Sequence, residues 1–531
     1  MRELLQLNIW IIRLAVLIGF ALIILIEYFS SIGTRKLTRV IQSALAGWAV
    51  ANIVFIVFLW FNHLRFPFTL TVMEDIILQH FQRAVSGQPI YTQPSLAYTA
   101  LAYNPLFYFL AIPFSWVFGV NLMTLRIVAI TGTIGVGVVL FIVTRRRTNS
   151  FWWGFISAGA FAAAYRVMDA YLDSTHSDSW MVFLALAGSL VIDRSRSRRG
   201  NLLGIILLVC SFWMKQHGAF FALGGVLYLT MKDGPMRSIP YWLMAILFGP
   251  AVYLFLGPSL FGSYFHYFTY TIPASWTEVT VRMFPRYVGF LYLFYGTLAS
   301  FALWNIVRDW KLHQKVFDVW RIQLVAAMLT AVLGCLDPGS SDNIFIPIGV
   351  FLILEGVRGI YAASGYVGNS RYFRVEVIAL SLVFAQLAYD PRTVLASSEA
   401  PQALADLKST VNGLPGFVYA PWVGQLDGLT LYPAVHWVAL EDMIRGPIRN
   451  PRNDSIVASL LAPCLQPVGP MHVLTNLPLS DSPPPLGRLS NRYILVTDFG
   501  DRFKALRVMP GRIDCLWPRY LYRFDSGHPS Q

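Results

Sequence analysis

Two adjacent carboxylates, Glu74 and Asp75, stand in the segment TVMEDIILQH, shortly after a long apolar run. Acidic residues are scarce in this chain, with 28 Asp and Glu among 531 residues. A carboxylate within hydrogen-bond reach of a hydroxyl can act as a general base, and a neighbouring carboxylate raises its pKa by like-charge repulsion. The structural alternative is that the helix dipole stabilises acids at a helix N-terminus. That alternative accounts for one acid more easily than for two.

The residues after the acidic pair have the periodicity of an amphipathic helix. Apolar residues recur on one face at helical spacing: Ile76, Ile77, Phe81, Ala84 and Val85. Polar residues occupy the other face, and Ser86-Gly87 is a typical C-terminal signal. We therefore predict a helix that lies at a membrane surface and begins at the acidic pair.

The elements that must position these residues are membrane spans. The chain is 56% hydrophobic and 13% charged, with a mean hydropathy of +0.55. Apolar runs of near twenty residues match a bilayer about 30 Å thick, so we predict a polytopic α-helical membrane protein with about 12 to 13 spans. The candidate spans are 8–28, 42–62, 122–144, 151–167, 178–193, 201–214, 218–231, 240–257, 286–307, 321–336, 343–358 and 375–390. Segment 103–119 is short and contains Pro105 and Pro113, and we predict that it does not cross.

Basic residues cluster in the short connections between spans. The clusters are Arg35, Lys36 and Arg39; Arg145–Arg147; Arg194, Arg196, Arg198 and Arg199; Lys232 and Arg237; Arg308, Lys311 and Lys315; and Arg371 and Arg374. Because Lys and Arg favour cytoplasmic loops, we place these clusters in the cytoplasm. The net charge of +13 is explained in this way rather than by a nucleic-acid partner. The segments 63–121, 168–177, 258–285 and 337–342 then face outside.

This topology collects carboxylates on the outer side. Asp169, Asp173, His176 and Asp178 join Glu74 and Asp75 there, although solvated loops also carry acids. Residues 391–531 contain no spanning run and have short β-rich stretches at Gly416–Ala420 and Arg492–Phe499. We predict a small α/β extracytoplasmic domain there. Its two cysteines, Cys464 and Cys515, are expected to pair in an oxidising compartment.

A family resemblance rests on several short motifs in a fixed order. After the acidic pair and its helix come the motifs GQPIY and YNPLFY (Tyr103 to Tyr108), then Arg126 after FGVNLMTL, THSDSWMVFLALAG with Asp178, and FWMKQHGAFFAL with Lys215. Together they resemble the GT-C superfamily of integral-membrane glycosyltransferases, which includes protein mannosyltransferases and aminoarabinose transferases. The pattern covers roughly residues 42–260. This chain departs from it in having Glu-Asp rather than Asp-Glu, Gln216-His217 after the lysine, and an extra span at 8–28.

The resemblance implies an enzyme with a transmembrane glycosyltransferase domain at 1–390, its outer catalytic loop at 63–121, and an outer domain at 391–531. A sugar would move from a polyprenyl phosphate to an acceptor hydroxyl by direct displacement with inversion. Glu74 or Asp75 is the expected general base, and Asp178 is the second carboxylate. The expected donor phosphate contacts are Lys215, His217 and Arg126, and the expected substrate contacts are Tyr91 and Tyr103. Each cation also has a structural alternative: Lys215 can snorkel at a span end, and Arg126 can be a salt-bridge partner.

The expected partners are a polyprenyl-phosphate-linked sugar, a glycan, lipid or protein acceptor, and membrane lipids. The expected location is the inner (plasma) membrane of a bacterium, in the cell envelope. The sequence leaves a divalent cation open. The main alternative is a transporter or flippase, which needs ionisable groups near the midplane of the membrane. The outer position of the carboxylates disfavours that alternative.

Overall fold

The computed structural model describes residues 34–277, 283–314, 317–337, 339–366, 375–424, 429, 431–448, 450–507 and 516–526. The predicted span at 8–28 lies outside the described residues. The first part of the chain is a bundle of helices. They are α1 (Thr34–Leu64), α2 (Glu74–Val85), α3 (Leu106–Phe118), α4 (Leu122–Thr148), α5 (Phe151–Ala163), α6 (Asp178–Arg194), α7 (Arg198–Met214), α8 (Ala219–Asp233), α9 (Pro235–Ile246), α10 (Gly257–Phe261), α11 (Ile272–Trp276), α12 (Met283–Lys311), α13 (Val319–Cys335), α14 (Ile346–Tyr366) and α15 (Val375–Leu387).

Every predicted span within the described residues is occupied by a helix, so the polytopic helical architecture is confirmed. Within the described part of the chain, five stretches are long and apolar enough to cross a bilayer by length and composition: Val40–Leu64, Leu122–Thr148, Pro235–Phe261, Phe284–Lys311 and Asp342–Gly365. Shorter apolar helices include α3, α5, α13 and α15. At 1.5 Å per residue α3 is about 20 Å long, which is less than the hydrocarbon thickness of a bilayer.

Helices α6 and α7 pack closely because glycines face each other. A Cβ on Gly188 would lie 2.8 Å from the carbonyl oxygen of Gly204, so the two backbones approach to a distance that a side chain would prevent. Small residues serve the same purpose between other membrane helices, where close packing provides the attraction that the hydrophobic effect cannot. This packing places the N-terminus of α6, which carries Asp178, beside the C-terminus of α7 and Lys215.

The C-terminal region is a small α/β unit, as the sequence predicted. Its helices are α16 (Ala400–Asn412), α17 (Trp437–Ile444) and α18 (Pro451–Leu465), and its strands are β1 (Phe417–Tyr419), β2 (Met471–Thr475), β3 (Tyr493–Asp498) and β4 (Tyr520–Phe524). The strand order is β1-β2-β4-β3, with β1 parallel to β2 and the other pairs antiparallel. Strands β1 and β3 lie in the two predicted β-rich stretches.

The expected disulfide joins Cys464 to a residue that is not described, so it stays a prediction. Cys464 is buried and unpaired among the described residues, and Cys515 lies outside them. Cys464 belongs to the buried core, and the Tyr493 hydroxyl donates to its carbonyl at 2.6 Å. Burial raises the pKa of the Cys464 thiol to about 12, which disfavours the reactive thiolate.

The C-terminal region packs directly on the loop that leads into α2. Phe66, Phe68 and Leu70 share one buried cluster with residues of α16, β1 and β2. The Ala396 backbone N–H also donates to the Asn62 side chain at 2.8 Å. The start of α2 is therefore held between the helical bundle and the C-terminal unit.

Candidate active site

Helix α2 directs its two acids to different neighbours. Successive residues of a helix point about 100° apart, so adjacent side chains cannot share one environment. Glu74 faces the helical bundle and Asp75 faces the C-terminal region, and both side chains are fully buried. The preceding residue, Met73, provides no side-chain cap.

Glu74 connects three parts of the bundle. Its Oε2 accepts hydrogen bonds from the Leu70 N–H at 2.7 Å and from Arg126 Nη2 at 2.5 Å. Its Oε1 accepts from the Thr175 N–H at 3.0 Å, and Arg126 Nε lies 3.2 Å from Oε2 and 3.3 Å from Oε1. A carboxylate has about four acceptor positions, and these donors fill all of them. Glu74 thus has no remaining position for a substrate proton in this arrangement.

Arg126, in α4, also uses all its N–H groups in hydrogen bonds. Its Nη1 donates to the carbonyl oxygens of His63 and Phe66 at 2.9 and 2.6 Å, and its Nη2 also donates to the carbonyl of Phe68. The side chain is buried, and no N–H group is left for an external phosphate. The guanidinium therefore organises the loop before α2 around the Glu74 carboxylate.

Asp75 is bound much less completely. Its Oδ1 accepts from the Ile76 N–H at 2.9 Å, and Nε2 of His436 lies 3.6 Å from the same oxygen. Its Oδ2 has no hydrogen-bond partner among the described residues. Burial, with a smaller contribution from Glu74, raises the pKa of Asp75 well above its usual range. An incompletely bound carboxylate with a raised pKa has the properties of a general base.

A narrow cleft lies beside the start of α2, on the side of Glu74 rather than Asp75. Its lining residues are Ile77, Tyr103, Asn104, Phe107, Tyr108, Thr175, His176, Ser177 and Asp178. They come from α2, from the segment around α3 and from the loop before α6. Sequence reasoning had selected Tyr103 and Asp178 from this set.

One lining residue, Asp178, belongs to a buried ion pair. Lys215 Nζ donates to Asp178 Oδ1 at 2.8 Å, and both side chains are less than one-tenth exposed. Asn343 Nδ2 lies 3.3 Å from the other Asp178 oxygen. The ammonium is also 5.5 Å from the centre of the Tyr103 ring. The site thus contains a cation held in place by a carboxylate, in a region from which water is largely excluded.

Among the predicted site residues only Tyr103 and Asp178 line the cleft, and Tyr91 and His217 are among those that do not. Tyr91 is completely buried, and its hydroxyl donates to the carbonyl of Tyr103 while its ring packs 5.2 Å from that of Phe265. His217 follows α7 but does not line the cleft. Burial, together with the charge of Lys215, lowers the pKa of His217 to about 4, so the imidazole is neutral at neutral pH.

The structure adds residues that sequence reasoning did not select. His176 lines the cleft, with Nε2 at 3.2 Å from Thr71 Oγ1, and burial lowers its pKa to about 3. The C-terminal region adds His436 beside Asp75, and Asn343 adds the second contact to Asp178. Of these three residues, only His176 had been noted in the sequence, because the predicted topology placed it with the outer carboxylates. The other two reach the site across long sequence separations.

Within the described ranges, no group of three or more His, Cys, Asp or Glu side chains is arranged to hold a metal ion.

The comparisons with known proteins concern the fold. No protein-family model matches the chain, and no curated protein matches it. The crystal structure of ArnT from Cupriavidus metallidurans in the apo state has a TM-score of 0.52 at 13% identity, covering 92% of this chain and 100% of that chain. The structure of the same protein bound to undecaprenyl phosphate gives a TM-score of 0.50 at 13% identity, with 91% and 99% coverage. The oligosaccharyltransferase of Archaeoglobus fulgidus gives 0.48 at 12% identity, with 82% and 68% coverage.

ArnT is a GT-C glycosyltransferase, an aminoarabinose transferase, and its whole length aligns with this chain. The chain therefore has the fold of the GT-C membrane glycosyltransferases, and the resemblance stated from the sequence is confirmed at the level of the fold.

Proposed function

We propose that this protein is a glycosyltransferase that moves a sugar from a polyprenyl phosphate to an acceptor on the outer face of the membrane. The observation that carries the proposal is the Lys215–Asp178 ion pair, whose Asp178 lines a cleft in a chain with the ArnT fold. The solved ArnT structure with undecaprenyl phosphate supports a donor of the same lipid class.

Lys215 is assigned to the donor phosphate. An ammonium in a poorly hydrated site stabilises negative charge much more strongly than it would in water. Asp178 holds the ammonium through Oδ1 and keeps it beside Tyr103. The phosphate of the departing polyprenyl group would approach the remaining N–H bonds of the ammonium from the cleft.

The general base must stand on the opposite side of the sugar. In inverting chemistry the groups that serve the leaving oxygen and the nucleophile flank the sugar on opposite faces, roughly 6.5–9.5 Å apart. Asp178 is hydrogen-bonded to Lys215 at 2.8 Å, so both belong to the side of the leaving phosphate. Glu74 has no free acceptor position. Asp75, with its unpaired Oδ2, is left as the base.

The proposed step is a single displacement. The acceptor oxygen forms a bond to the anomeric carbon while the bond from that carbon to the phosphate oxygen breaks. The acceptor proton moves to Asp75 Oδ2, and the electron pair of the broken bond leaves with the polyprenyl phosphate, whose charge Lys215 stabilises. Oδ2 of Asp75 is covered by Gly424 in this state, so the acceptor must displace Gly424 while His436 stays beside Oδ1. Catalytic contacts are commonly incomplete before substrates bind.

The remaining predicted residues receive other roles in this proposal. Glu74 and Arg126 fix the loops on both sides of α2, and Tyr103 keeps its assignment as a substrate contact. Tyr91 supports Tyr103 through its hydroxyl, and His217 stands behind Lys215. We assign residues 1–390 to the membrane domain. We assign residues 391–531 to a domain on the outer side of a bacterial inner membrane.

The test uses the purified protein in lipid vesicles with radiolabelled polyprenyl-phosphate sugars. We expect label to pass to a hydroxyl acceptor with release of polyprenyl phosphate. At a low donor concentration we expect Lys215→Ala and Asp75→Asn each to reduce this transfer strongly. Movement of intact donor across the bilayer without release would instead support the transporter alternative. Transfer that persists in both variants would refute the assigned site.

A further inference from the structure

Unpaired polar atoms gather where the C-terminal region meets α2. Oδ2 of Asp75, Nε2 of His436 and Oε1 of Gln79 are all buried without a hydrogen-bond partner among the described residues. Leaving such atoms unpaired costs free energy, so their concentration at one contact calls for an explanation. The contact itself is well defined, because Gln79 Nε2 donates to the carbonyl of Ala434 at 3.1 Å.

The protonation state of His436 follows from its hydrogen bonds. The residue caps α17, and its Nδ1 accepts from the Val438 N–H at 3.2 Å. A neutral imidazole that accepts at Nδ1 carries its proton on Nε2. Burial, opposed by a smaller contribution from the Trp422 backbone, lowers the pKa of His436 to about 3, which keeps the ring neutral. Nε2 is thus an N–H donor. It lies 3.6 Å from Asp75 Oδ1, and the Trp422 backbone is a second neighbour of the ring.

The same segment approaches Asp75 from a second direction. Gly424 has a φ of +61°, and a Cβ at this position would lie 2.3 Å from Asp75 Oδ2 and 3.5 Å from Cδ2 of His436. A residue with a side chain would be strained by the backbone conformation and would collide with the carboxylate. The glycine therefore permits a contact between Asp75 and the C-terminal region that any other residue would disturb.

We propose that His436 is a positioning residue that donates a hydrogen bond from Nε2 to Asp75 Oδ1, so that the C-terminal region completes the general base. The separation of 3.6 Å in this state is just longer than a hydrogen bond, and the contact closes when substrates bind. With Oδ1 held by Ile76 and His436, Oδ2 is the oxygen left to take a proton. This inference rests on the proposed function, because it concerns the same base.

A donor to the carboxylate favours its ionised form and lowers its pKa. Among the described residues, the titratable groups that face Asp75 are Glu74, which raises the pKa, and His436. Without the Nε2–H donor we expect the acid limb of the pH-rate profile to move upward by about one pH unit, since a hydrogen bond to a charged group is worth about that much. Activity lost at neutral pH should then return at higher pH.

Three variants separate this role from the capping role of His436. His436→Gln keeps an N–H donor of similar reach, His436→Ser keeps a helix cap without a donor that reaches Asp75, and His436→Ala keeps neither. We expect the shifted profile in the Ser and Ala variants and a nearly normal profile in the Gln variant. His472, another buried histidine of the C-terminal unit, provides the matched control His472→Gln.

A second readout does not depend on turnover. Infrared titration of protein with isotope-labelled aspartate follows the protonated carboxyl of Asp75, identified by its loss in Asp75→Asn. We expect the midpoint to rise in His436→Ser. An unchanged midpoint and profile in that variant would overturn the inference and leave the proposed function standing. If the infrared midpoint rises in His436→Ser although the parent protein shows no transfer activity, the contact is supported and the proposed function is refuted.

Discussion

Lys215 Nζ and Asp178 Oδ1 lie 2.8 Å apart although 37 residues separate them in the chain. They meet because α6 begins where α7 ends, and the close packing at Gly188 and Gly204 fixes that register. The contact makes a cation available at the cleft without leaving an isolated buried charge, which would be costly. In the proposed mechanism this contact assigns both groups to the side of the leaving phosphate rather than to the side of the nucleophile.

Replacement of Lys215 should weaken donor binding more than it slows turnover. In Lys215→Ala we expect the Michaelis constant for the donor to rise at least tenfold with a smaller fall in kcat, because the ammonium contacts the phosphate already in the ground state. Initial rates at varied donor concentration measure this. Lys311→Ala, at an exposed position, is the matched control. A fall in kcat alone would show that the lysine acts only in the transition state.

Replacement of Glu74 should destabilise the fold. Glu74→Gln leaves the buried Arg126 guanidinium without its counter-charge, and breaking such a pair costs about 3–5 kcal/mol. Thermal unfolding in detergent, followed by tryptophan fluorescence, should therefore show a clearly lower Tm. The exposed Glu399→Gln is the control and should leave the Tm unchanged. A Glu74→Gln protein of normal Tm that has lost all transfer would favour Glu74 as the base.

Replacement of Asp75 should have the opposite effect on stability. Because the pKa of Asp75 is raised in the folded protein, the native state binds its proton more tightly than the unfolded chain does. Stability therefore falls as pH rises from the usual aspartate pKa toward the raised value. Asp75→Asn removes this loss, and we expect its Tm at neutral pH to equal or exceed that of the parent protein. Transfer activity should fall by about 10²- to 10⁴-fold, as expected for a lost general base.

Comparison of Tm between pH 4 and pH 8 measures this effect, and the parent should lose more stability than Asp75→Asn across that range. An equal loss in both proteins would place the titration on another group. Retention of near-normal transfer by a folded Asp75→Asn protein would remove Asp75 from the mechanism.

Local sequence patterns accounted for the elements but not for the contacts between them. Apolar runs predicted the helices, and the amphipathic pattern after Asp75 predicted α2, because both depend on neighbours in the chain. The different contacts of Glu74 and Asp75 could not be predicted in this way. They depend on Thr175 and Arg126, which lie 101 and 52 residues from Glu74, and on His436, which lies 361 residues from Asp75. The periodicity of a sequence does not show which distant loops pack together.

The topology can be tested independently of the chemistry. Cysteine placed at position 146 should resist an impermeant reagent added from outside, whereas cysteine at the exposed position 502 should react, because we place the C-terminal unit outside. The background is a variant without native cysteines. Labelling of position 146 from outside in sealed cells would overturn the proposed orientation, and with it the outer location of the cleft.

The close contact at Gly424 gives the last prediction. Gly424→Ala introduces a Cβ that would lie 2.3 Å from Asp75 Oδ2, at a backbone φ that alanine disfavours, so the segment must move away from α2. Gly413 has a negative φ of −79°, and a Cβ there would meet nothing closer than 3.4 Å, so Gly413→Ala is the matched control. We expect Gly424→Ala to lose at least tenfold in kcat while Gly413→Ala retains normal turnover.

Hydrogen exchange of the backbone around 431–438 should increase in Gly424→Ala, because displacement of the segment weakens the hydrogen bonds from Ala434 and Val435 to the Leu96 carbonyl. Normal turnover with increased exchange would show that the cover over Asp75 is dispensable for transfer.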